Sequence, residues 1–281
     1  MRWLKLIALS LVWPLYFVLA VLTHMGVTLF CPALRWQVIS SLMRSFTVLV
    51  RVVLNIKIIL EGEGNRPEKA GHFIVCNHLS YVDGIILGSI FPVIYVSKRE
   101  VRGWPLIGQW TALLGTVFID RKRKERTPLF VDEIVRKLRQ KANVLVFPEG
   151  TSTNGERLLP FQSALFAASL SVRAPVVPIT LTYRKVDGEP VSPANWDRVY
   201  WYGDMEFAGH FWALLGLRSV EVSVKIHPRI ETRDYKNNSL SRKRLSLVCY
   251  DLVSGRLGAK GRSRGGLSSS LAPRSTGSSP R

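Results

Sequence analysis

The chain has 281 residues, 47% of them hydrophobic, which is enough for one sizeable core and a short hydrophobic anchor. The formal charge is +19, from 39 basic and 20 acidic residues, and such a surplus favours an anionic partner. The N-terminal part is strongly apolar, and no zinc-finger, basic-zipper or RNA-recognition pattern is present, so the sequence indicates anionic membrane lipid and argues against nucleic acid.

The N-terminal segment is long and apolar. No Asp, Glu, Lys or Arg occurs from Leu6 to Leu34, which is long enough to span a hydrocarbon core or to lie deep within one leaflet. A cleaved signal peptide would also begin with basic residues such as Arg2 and Lys5, but no small-residue cleavage site follows the apolar run. The segment therefore predicts a retained membrane anchor, kinked at Pro14.

A second helix is predicted from Trp36 to Val53. Arg44 and Arg51 are seven residues apart and share one face, which is typical of an interfacial helix whose arginines reach lipid phosphates. An ordinary surface helix packed on the domain would have the same pattern. Both interpretations stay open, and residues 1–53 are predicted to anchor the protein to the membrane.

Residues 54–254 have the alternating pattern of an α/β domain. Helical patterns, notably Thr127–Lys141 and Gln162–Val172, lie between strand-like runs. This predicts a mostly parallel sheet flanked by helices, preceded by the hydrophobic two-helix membrane motif. Residues 255–281 are rich in Gly, Ser and Arg and predict a disordered basic tail. The predicted strands are Ile56–Leu60, Phe73–Cys76, Val93–Val96, Thr116–Ile119, Val144–Phe147, Val176–Leu181 and Val220–Ile226.

A histidine and an aspartate follow the predicted strand Phe73–Cys76. A histidine at a strand end can act as a general base, and a nearby carboxylate can hold its tautomer and stabilise the imidazolium. His78 and Asp83 are five residues apart, and a turn can bring them together if Asp83 lies in the first turn of the next helix. They form the predicted catalytic pair.

The same segment also has a purely structural interpretation. Ser80-x-x-Asp83 is a capping box, in which Asp83 only satisfies backbone N–H groups at the start of a helix. His78 would then be an ordinary core histidine. The segment by itself does not decide between the two interpretations.

Two further strand ends carry polar residues. Glu149, Gly150 and Thr151 follow a buried strand, where α/β proteins bind ligands and where a turn can present backbone donors to an anion. Arg121 follows the strand Gly115–Ile119 and offers a planar fork for phosphate. Alternatively, Glu149 is a solvated residue in a plain turn, and Arg121 belongs to a solvated basic face with residues 122–124.

Together with the strand-like Ala174–Ile179, these segments resemble the four ordered blocks of the 1-acyl-sn-glycerol-3-phosphate (lysophosphatidic acid) acyltransferases, the glycerolipid acyltransferases that make phosphatidic acid. The resemblance covers about residues 60–181, and the N-terminal helices fit the two-helix membrane motif of this family. The matching blocks are His78 to Asp83 (catalytic), Gly115 to Arg121 and Phe147 to Thr151 (acceptor-binding), and Val177 to Ile179 (near the acyl pocket).

The resemblance implies roles that the spacing does not. His78 would remove the proton from the acceptor hydroxyl, Asp83 would orient it, and no acyl-enzyme would form. The donor would be an acyl thioester on coenzyme A or acyl carrier protein, with no metal or other cofactor. Lys98 and Arg157 fall where the family places further phosphate-binding cations.

Two departures from the family leave the acceptor open. Many members have Arg where this chain has Ser152, and Lys where it has Gln162. The leading expectation is acylation of lysophosphatidic acid, and the alternative is a lyso-ornithine lipid or another lysolipid. A non-catalytic lipid-binding membrane protein is the third hypothesis, although a binder needs no His78/Asp83 pair.

The cysteines bear on the compartment. Three cysteines lie far apart without paired spacing, which offers neither a disulfide framework nor a zinc site and favours a reducing compartment. We therefore expect the cell membrane, with the catalytic domain on the cytoplasmic side.

Overall fold

Two antiparallel helices precede the sheet. The computed structural model describes residues 1–67, 71–104, 107–120 and 127–255. Helix α1, Arg2–Phe30, continues through Pro14, and a short 3₁₀ turn at Pro32–Leu34 leads into α2, Arg35–Leu54. Both helices are long and apolar enough to cross a membrane by length and composition. The predicted tail lies outside the described residues beyond Gly255.

The sheet follows the order β1-β8-β6-β2-β5-β3-β4, with β7 paired to β6. The strands are β1 Ile56–Glu61, β2 Phe73–Cys76, β3 Val93–Lys98, β4 Val117–Ile119, β5 Asn143–Val146, β6 Val176–Val186, β7 Glu189–Pro190 and β8 Val220–Ile226. The remaining α-helices are α3 Val82–Ile90, α4 Ile107–Leu113, α5 Thr127–Arg139, α6 Ala167–Val172, α7 Phe207–Leu215 and α8 Ser239–Val253.

Five neighbouring strands, β6, β2, β5, β3 and β4, run parallel to one another. Strand β8 runs antiparallel to β6, and β1 is parallel to β8. All seven predicted strands are present, although β6 extends five residues beyond its predicted end. The predicted fold, a mostly parallel sheet flanked by helices and preceded by two hydrophobic helices, is confirmed.

Both faces of the central strands are buried, as is usual for a parallel sheet with helices on each side. Ile74 and Cys76 of β2 belong to the core cluster that includes α3, whereas Phe73 and Val75 belong to the cluster that includes α5 and α8. The helices also direct the chain so that β2, β3, β4 and β5 all end at one edge of the sheet. Their carboxyl ends meet there, where such folds place ligands.

Helix α1 is attached to the domain at Lys5 and again at Phe17. The Lys5 ammonium donates hydrogen bonds to the carbonyl oxygens of Leu54 (3.2 Å) and Leu217 (2.7 Å). Further along, Phe17 lies 6.2 Å from Trp110, measured between ring centroids. The side that faces away from the domain is apolar and exposed, with Leu4, Leu11, Leu15, Leu22, Met25 and Leu29.

Two arginines of α2, Arg44 and Arg51, bond to the protein itself. The Arg51 guanidinium donates to the carbonyl oxygen of Ile56 (3.0 Å), and Arg44 Nε donates weakly to that of Ser89 (3.4 Å). Trp36 and Ile39 on the same helix are buried. These contacts favour the packed surface helix over the interfacial helix with lipid-facing arginines.

Candidate active site

His78 and Asp83 are in direct contact at the carboxyl edge of the sheet. His78 follows β2, and Asp83 lies in the first turn of α3. His78 Nδ1 is 2.9 Å from Asp83 Oδ2; the Asp83 side chain is 0% exposed and that of His78 is 20% exposed. Because Nδ1 faces the carboxylate, Nε2 is the ring nitrogen that can meet a substrate hydroxyl.

Asp83 is held by several donors at once. Its Oδ2 atom also accepts the backbone N–H groups of Leu79 (2.7 Å) and Ser80 (2.9 Å). Its Oδ1 atom accepts the hydroxyl of Tyr183 at 2.8 Å. The bond from Ser80 is half of the predicted capping box, so the capping and the histidine-orienting interactions occur together on one carboxylate. The Asp83 carboxylate is held in place by these hydrogen bonds, and it in turn holds the His78 imidazole in place.

The His78 ring is also held from its face. It stacks on Phe147, with ring centroids 4.1 Å apart and planes 13° apart. The carbonyl oxygen of His78 accepts the N–H of Thr153 at 3.0 Å. The ring face, the main chain and Nδ1 of His78 are therefore each held in place, as expected for a preorganised base.

Glu149 ties the histidine segment to the loop after β5. Its Oε1 accepts the N–H of His78 at 2.7 Å, and its Oε2 accepts the N–H of Leu159 at 2.9 Å. The residue is 6% exposed. Burial raises the pKa of the Glu149 carboxyl, and the two N–H bonds oppose that shift. Since both oxygens bind backbone, the geometry indicates a positioning residue; direct contact with substrate stays a prediction.

The turn after Glu149 requires glycine. Gly150 has φ +81°, which side chains other than glycine rarely adopt, and a Cβ there would overlap the Gln162 amide. The Gln162 N–H donates to the carbonyl oxygen of Pro148 at 2.9 Å. Thr151 is exposed beside this turn, whereas Ser152 is at the limit of burial. Gln162 therefore lies over the predicted acceptor-binding turn.

The predicted cations have different surroundings. Lys98, the last residue of β3, has its ammonium 5.2 Å from the ring centroid of Trp201. The main-chain N–H of Trp201 donates to the carbonyl oxygen of Leu79 at 2.9 Å, which links Lys98 to the histidine segment. Arg157 is exposed in the loop after β5. Arg121 lies outside the described residues, so its phosphate role stays a prediction.

Sequence reasoning missed two supporting residues. Tyr183 lies on β6, 100 positions after Asp83, and burial together with Asp83 raises the pKa of its hydroxyl, which keeps the hydroxyl a donor. Asn77 bonds both backbone groups of Leu181, donating to its carbonyl oxygen (2.9 Å) and accepting its N–H (2.8 Å). No local pattern identifies either residue, because both act on strands brought together by the sheet.

Comparison with known proteins gives consistent similarities. A family model described as Acyltransferase matches residues 57–182. The lyso-ornithine lipid O-acyltransferase of Rhodobacter capsulatus is 34% identical, covering 70% of each chain, and that of Brucella abortus is 32% identical, covering 69% of this chain and 76% of its own. A 1-acyl-sn-glycerol-3-phosphate acyltransferase of Neisseria meningitidis is 26% identical, with 69% and 72% covered.

The fold also matches a solved structure over almost the full chain. The crystal structure of the lysophosphatidic acid acyltransferase PlsC from Thermotoga maritima aligns with a TM-score of 0.54 and 21% identity. The alignment covers 92% of this chain and 98% of that one. The likeness therefore includes the two N-terminal helices as well as the sheet.

Proposed function

Because the chain belongs to the acyltransferase family that includes lyso-ornithine lipid and lysophosphatidic acid acyltransferases, we propose that it moves a fatty acyl chain from a thioester to the hydroxyl of a lyso-ornithine lipid. The chain is an acyltransferase of the lysophospholipid type. The single observation that carries the chemistry is the 2.9 Å contact between His78 Nδ1 and Asp83 Oδ2.

The proposed reaction is a direct acyl transfer. His78 Nε2 takes the proton of the acceptor hydroxyl while the oxygen attacks the thioester carbonyl, and Asp83 stabilises the resulting imidazolium. The C–O bond forms, the C–S bond breaks, and the leaving thiolate of coenzyme A or acyl carrier protein takes the proton back from His78. Since a thioester is already activated, a positioned base and correct alignment supply most of the acceleration.

Two loop positions support the lyso-ornithine acceptor. Ser152 and Gln162 are uncharged where many lysophosphatidic acid acyltransferases carry Arg and Lys. A phosphate monoester carries about two negative charges near neutral pH, whereas an ornithine headgroup carries one carboxylate and one amine. A site with fewer fixed cations suits the second headgroup better. The sequence alone favours lysophosphatidic acid, whereas the similarity to lyso-ornithine lipid O-acyltransferases at 32% and 34% identity supports the lyso-ornithine acceptor proposed here.

Lysophosphatidic acid remains the second candidate acceptor because of specific cations. Lys98 lies at the carboxyl end of β3, the sheet edge at which His78 is placed. Arg157 is exposed in the loop that carries Glu149. If Arg121 also faces this edge, three cations would be available for a phosphate.

We also propose that the protein is bound to one leaflet of the cell membrane from the cytoplasmic side. Helix α1 is about 43 Å long at 1.5 Å per residue, longer than a hydrocarbon core of about 30 Å. Its attachment to the domain from Lys5 to Phe17 opposes a spanning position, because spanning would pull one end away from the domain. Its exposed apolar side can instead lie along the leaflet.

An acceptor and donor matrix tests the proposal. Purified full-length protein is assayed with lyso-ornithine lipid, lysophosphatidic acid and an uncharged monoacylglycerol, each with acyl-coenzyme A and with acyl carrier protein thioester. We expect ornithine lipid as the main product. We expect His78→Ala to lose about 10²–10⁴ in rate with every acceptor while it stays folded. Near-normal turnover in that variant would overturn the mechanism, and a preference for lysophosphatidic acid would overturn the acceptor.

A further inference from the structure

A cationic cleft lies between the start of α2 and the end of α5, away from the candidate active site. It has a volume of about 420 Å³. Four basic residues and one acidic residue line it, together with Trp36 and Gln140; they are Arg35, Arg136, Lys137, Arg139 and Glu133. The excess of positive charge predicts affinity for an anion.

The cleft is at the opposite edge of the sheet from His78. Helix α5 begins after β4, at the carboxyl edge, and ends just before β5 begins. Lys137 and Gln140 therefore lie at the amino edge, whereas His78 follows the carboxyl end of the parallel strand β2. The cleft is not part of the acceptor-binding loops.

The framework of the cleft is rigid. Trp36 Nε1 donates to Gln140 Oε1, and Gln37 Nε2 donates to the carbonyl oxygen of Gln140 at 2.9 Å. These bonds join α2 to the end of α5. The Arg35 guanidinium stacks at 4.5 Å from the centroid of the Trp36 ring. The cations are thus presented from a fixed surface, which lowers the entropy that binding must overcome.

The cations have few anionic partners of their own. Lys137 is 7% exposed, and its ammonium lies 3.1 Å from the centroid of the Trp36 ring. Burial, with smaller contributions from Arg35 and Arg136, lowers the pKa of Lys137 to about 7, and Glu133 opposes this shift. Within the described part of the chain, Arg35 Nε is buried without a hydrogen-bond partner. An anion in the cleft would relieve this unbalanced charge.

The hairpin tip next to the cleft is apolar and exposed. Leu29 is 75% exposed and Phe30 is 78% exposed, and Leu34 immediately precedes Arg35. Membrane-surface sites usually combine two features: apolar residues that enter the acyl region, and cations beside them at the depth of the headgroups. The same membrane that contacts the outer side of α1 would therefore bring headgroups to the cleft.

We propose that this cleft binds the phosphate headgroup of an anionic membrane phospholipid, as a site separate from catalysis. The proposal rests on the proposed one-leaflet attachment of α1. It gives a role to positive charge that lies at the amino edge of the sheet, opposite the edge that carries His78. The headgroup would bridge Arg136 and Arg139 of α5 to Arg35 of α2.

Vesicle flotation tests the site. The double variant Arg136→Gln/Arg139→Gln removes two exposed cations, and Arg242→Gln/Lys243→Gln, which removes two charges from α8, is the control. Full-length protein is mixed with phosphatidylcholine vesicles and with vesicles containing 30% phosphatidylglycerol. We expect the cleft variant to bind the anionic vesicles more weakly, on the order of tenfold or more. Its binding to phosphatidylcholine vesicles should be unchanged. The control variant should lose much less of its binding to the anionic vesicles.

Three results would overturn the proposal. Equal losses in the cleft and control variants would mean a diffuse charge effect, and an unchanged cleft variant would mean no site. A loss of binding to acyl carrier protein, with vesicle binding intact, would assign the cleft to the donor. Turnover of both variants and of His78→Ala is also measured on substrate in zwitterionic micelles. This measurement reports on the proposed reaction without an anionic surface, so a failure of this site can be distinguished from a failure of the reaction.

Discussion

The hydroxyl of Tyr183 donates a 2.8 Å hydrogen bond to Oδ1 of Asp83, the carboxylate oxygen that does not bind His78. One oxygen of Asp83 therefore orients the imidazole, and the other is anchored from β6. The orientation of this fully buried carboxylate therefore depends both on β6 and on the segment that follows β2. Deleting the anchor tests whether that orientation matters for catalysis.

We expect Tyr183→Phe to leave a buried carboxylate oxygen without its donor, at about 1–3 kcal/mol. Because the anchored carboxylate is what stabilises the imidazolium, kcat should fall about 5- to 50-fold with little change in the acceptor KM. The pH profile of kcat/KM should also move, which a merely structural loss would not cause. The matched control is Tyr202→Phe, which removes a hydroxyl bonded to the exposed Asp197. An unshifted profile with normal kcat would contradict the positioning role.

We expect Glu149→Gln to weaken both folding and turnover. Each oxygen of Glu149 accepts one backbone N–H, and an amide has only one oxygen, so its NH₂ would face a donor. The free energy of unfolding should drop by about 1–3 kcal/mol, with a fall in kcat through displacement of His78. Denaturant unfolding and steady-state kinetics measure the two effects.

Glu156→Gln is the control for this prediction, since Glu156 is exposed in the same loop and its carboxylate accepts a hydrogen bond from the Asn154 side chain. Glu156→Gln should change neither the free energy of unfolding nor kcat appreciably. A rise in the acceptor KM of Glu149→Gln at unchanged stability would instead support direct substrate binding by Glu149.

We expect Gln162→Lys to shift the acceptor preference toward lysophosphatidic acid. Gln162 is exposed and lies over the Gly150 turn, so a lysine there adds a cation at the predicted headgroup site. The ratio of kcat/KM for lysophosphatidic acid to that for lyso-ornithine lipid should rise about 10-fold if the new pair is partly desolvated. Asn237→Lys adds the same charge beside Ser171 at the end of α6, outside the Gly150 turn, and should leave the ratio unchanged. An equal change in both variants would refute a local effect.

We expect Lys137→Met to stabilise the protein most at low pH. The folded-state pKa is lowered from 10.5 to about 7, so between these values the unfolded chain holds a proton that the folded chain lacks. The free energy of unfolding of the natural protein therefore rises with pH across this window, and the full penalty of the buried charge is present below about pH 7. Thermal unfolding in zwitterionic detergent at pH 6 and pH 10 measures the effect.

The increase in the free energy of unfolding caused by Lys137→Met should be larger at pH 6 than at pH 10, because the natural lysine is neutral in the folded state at the higher pH. Lys137→Arg keeps the charge and serves as the control, with no such pH-dependent gain. A gain that is the same at both pH values would show that only packing on Trp36 has changed.

The sequence by itself determined the features that depend on neighbouring residues. Periodicity and apolar run length place the strands and the N-terminal helices, because burial pattern and backbone hydrogen bonding are local. The five-residue spacing between His78 and Asp83, across a turn into a helix, allows their contact, but that segment by itself did not decide between a catalytic pair and a capping box. Their catalytic roles stay predictions until the variants are assayed.

Only the tertiary structure decided the features that depend on which strands are neighbours. Pairing of β2 with β6 brings Asn77 to Leu181 and Tyr183 to Asp83. Packing of α2 decided that Arg51 bonds to a protein carbonyl, since a helical pattern cannot distinguish lipid from protein on one face. The physical reason is the same in each case: these contacts join residues far apart in the chain, and their partners are set by sheet order and helix docking.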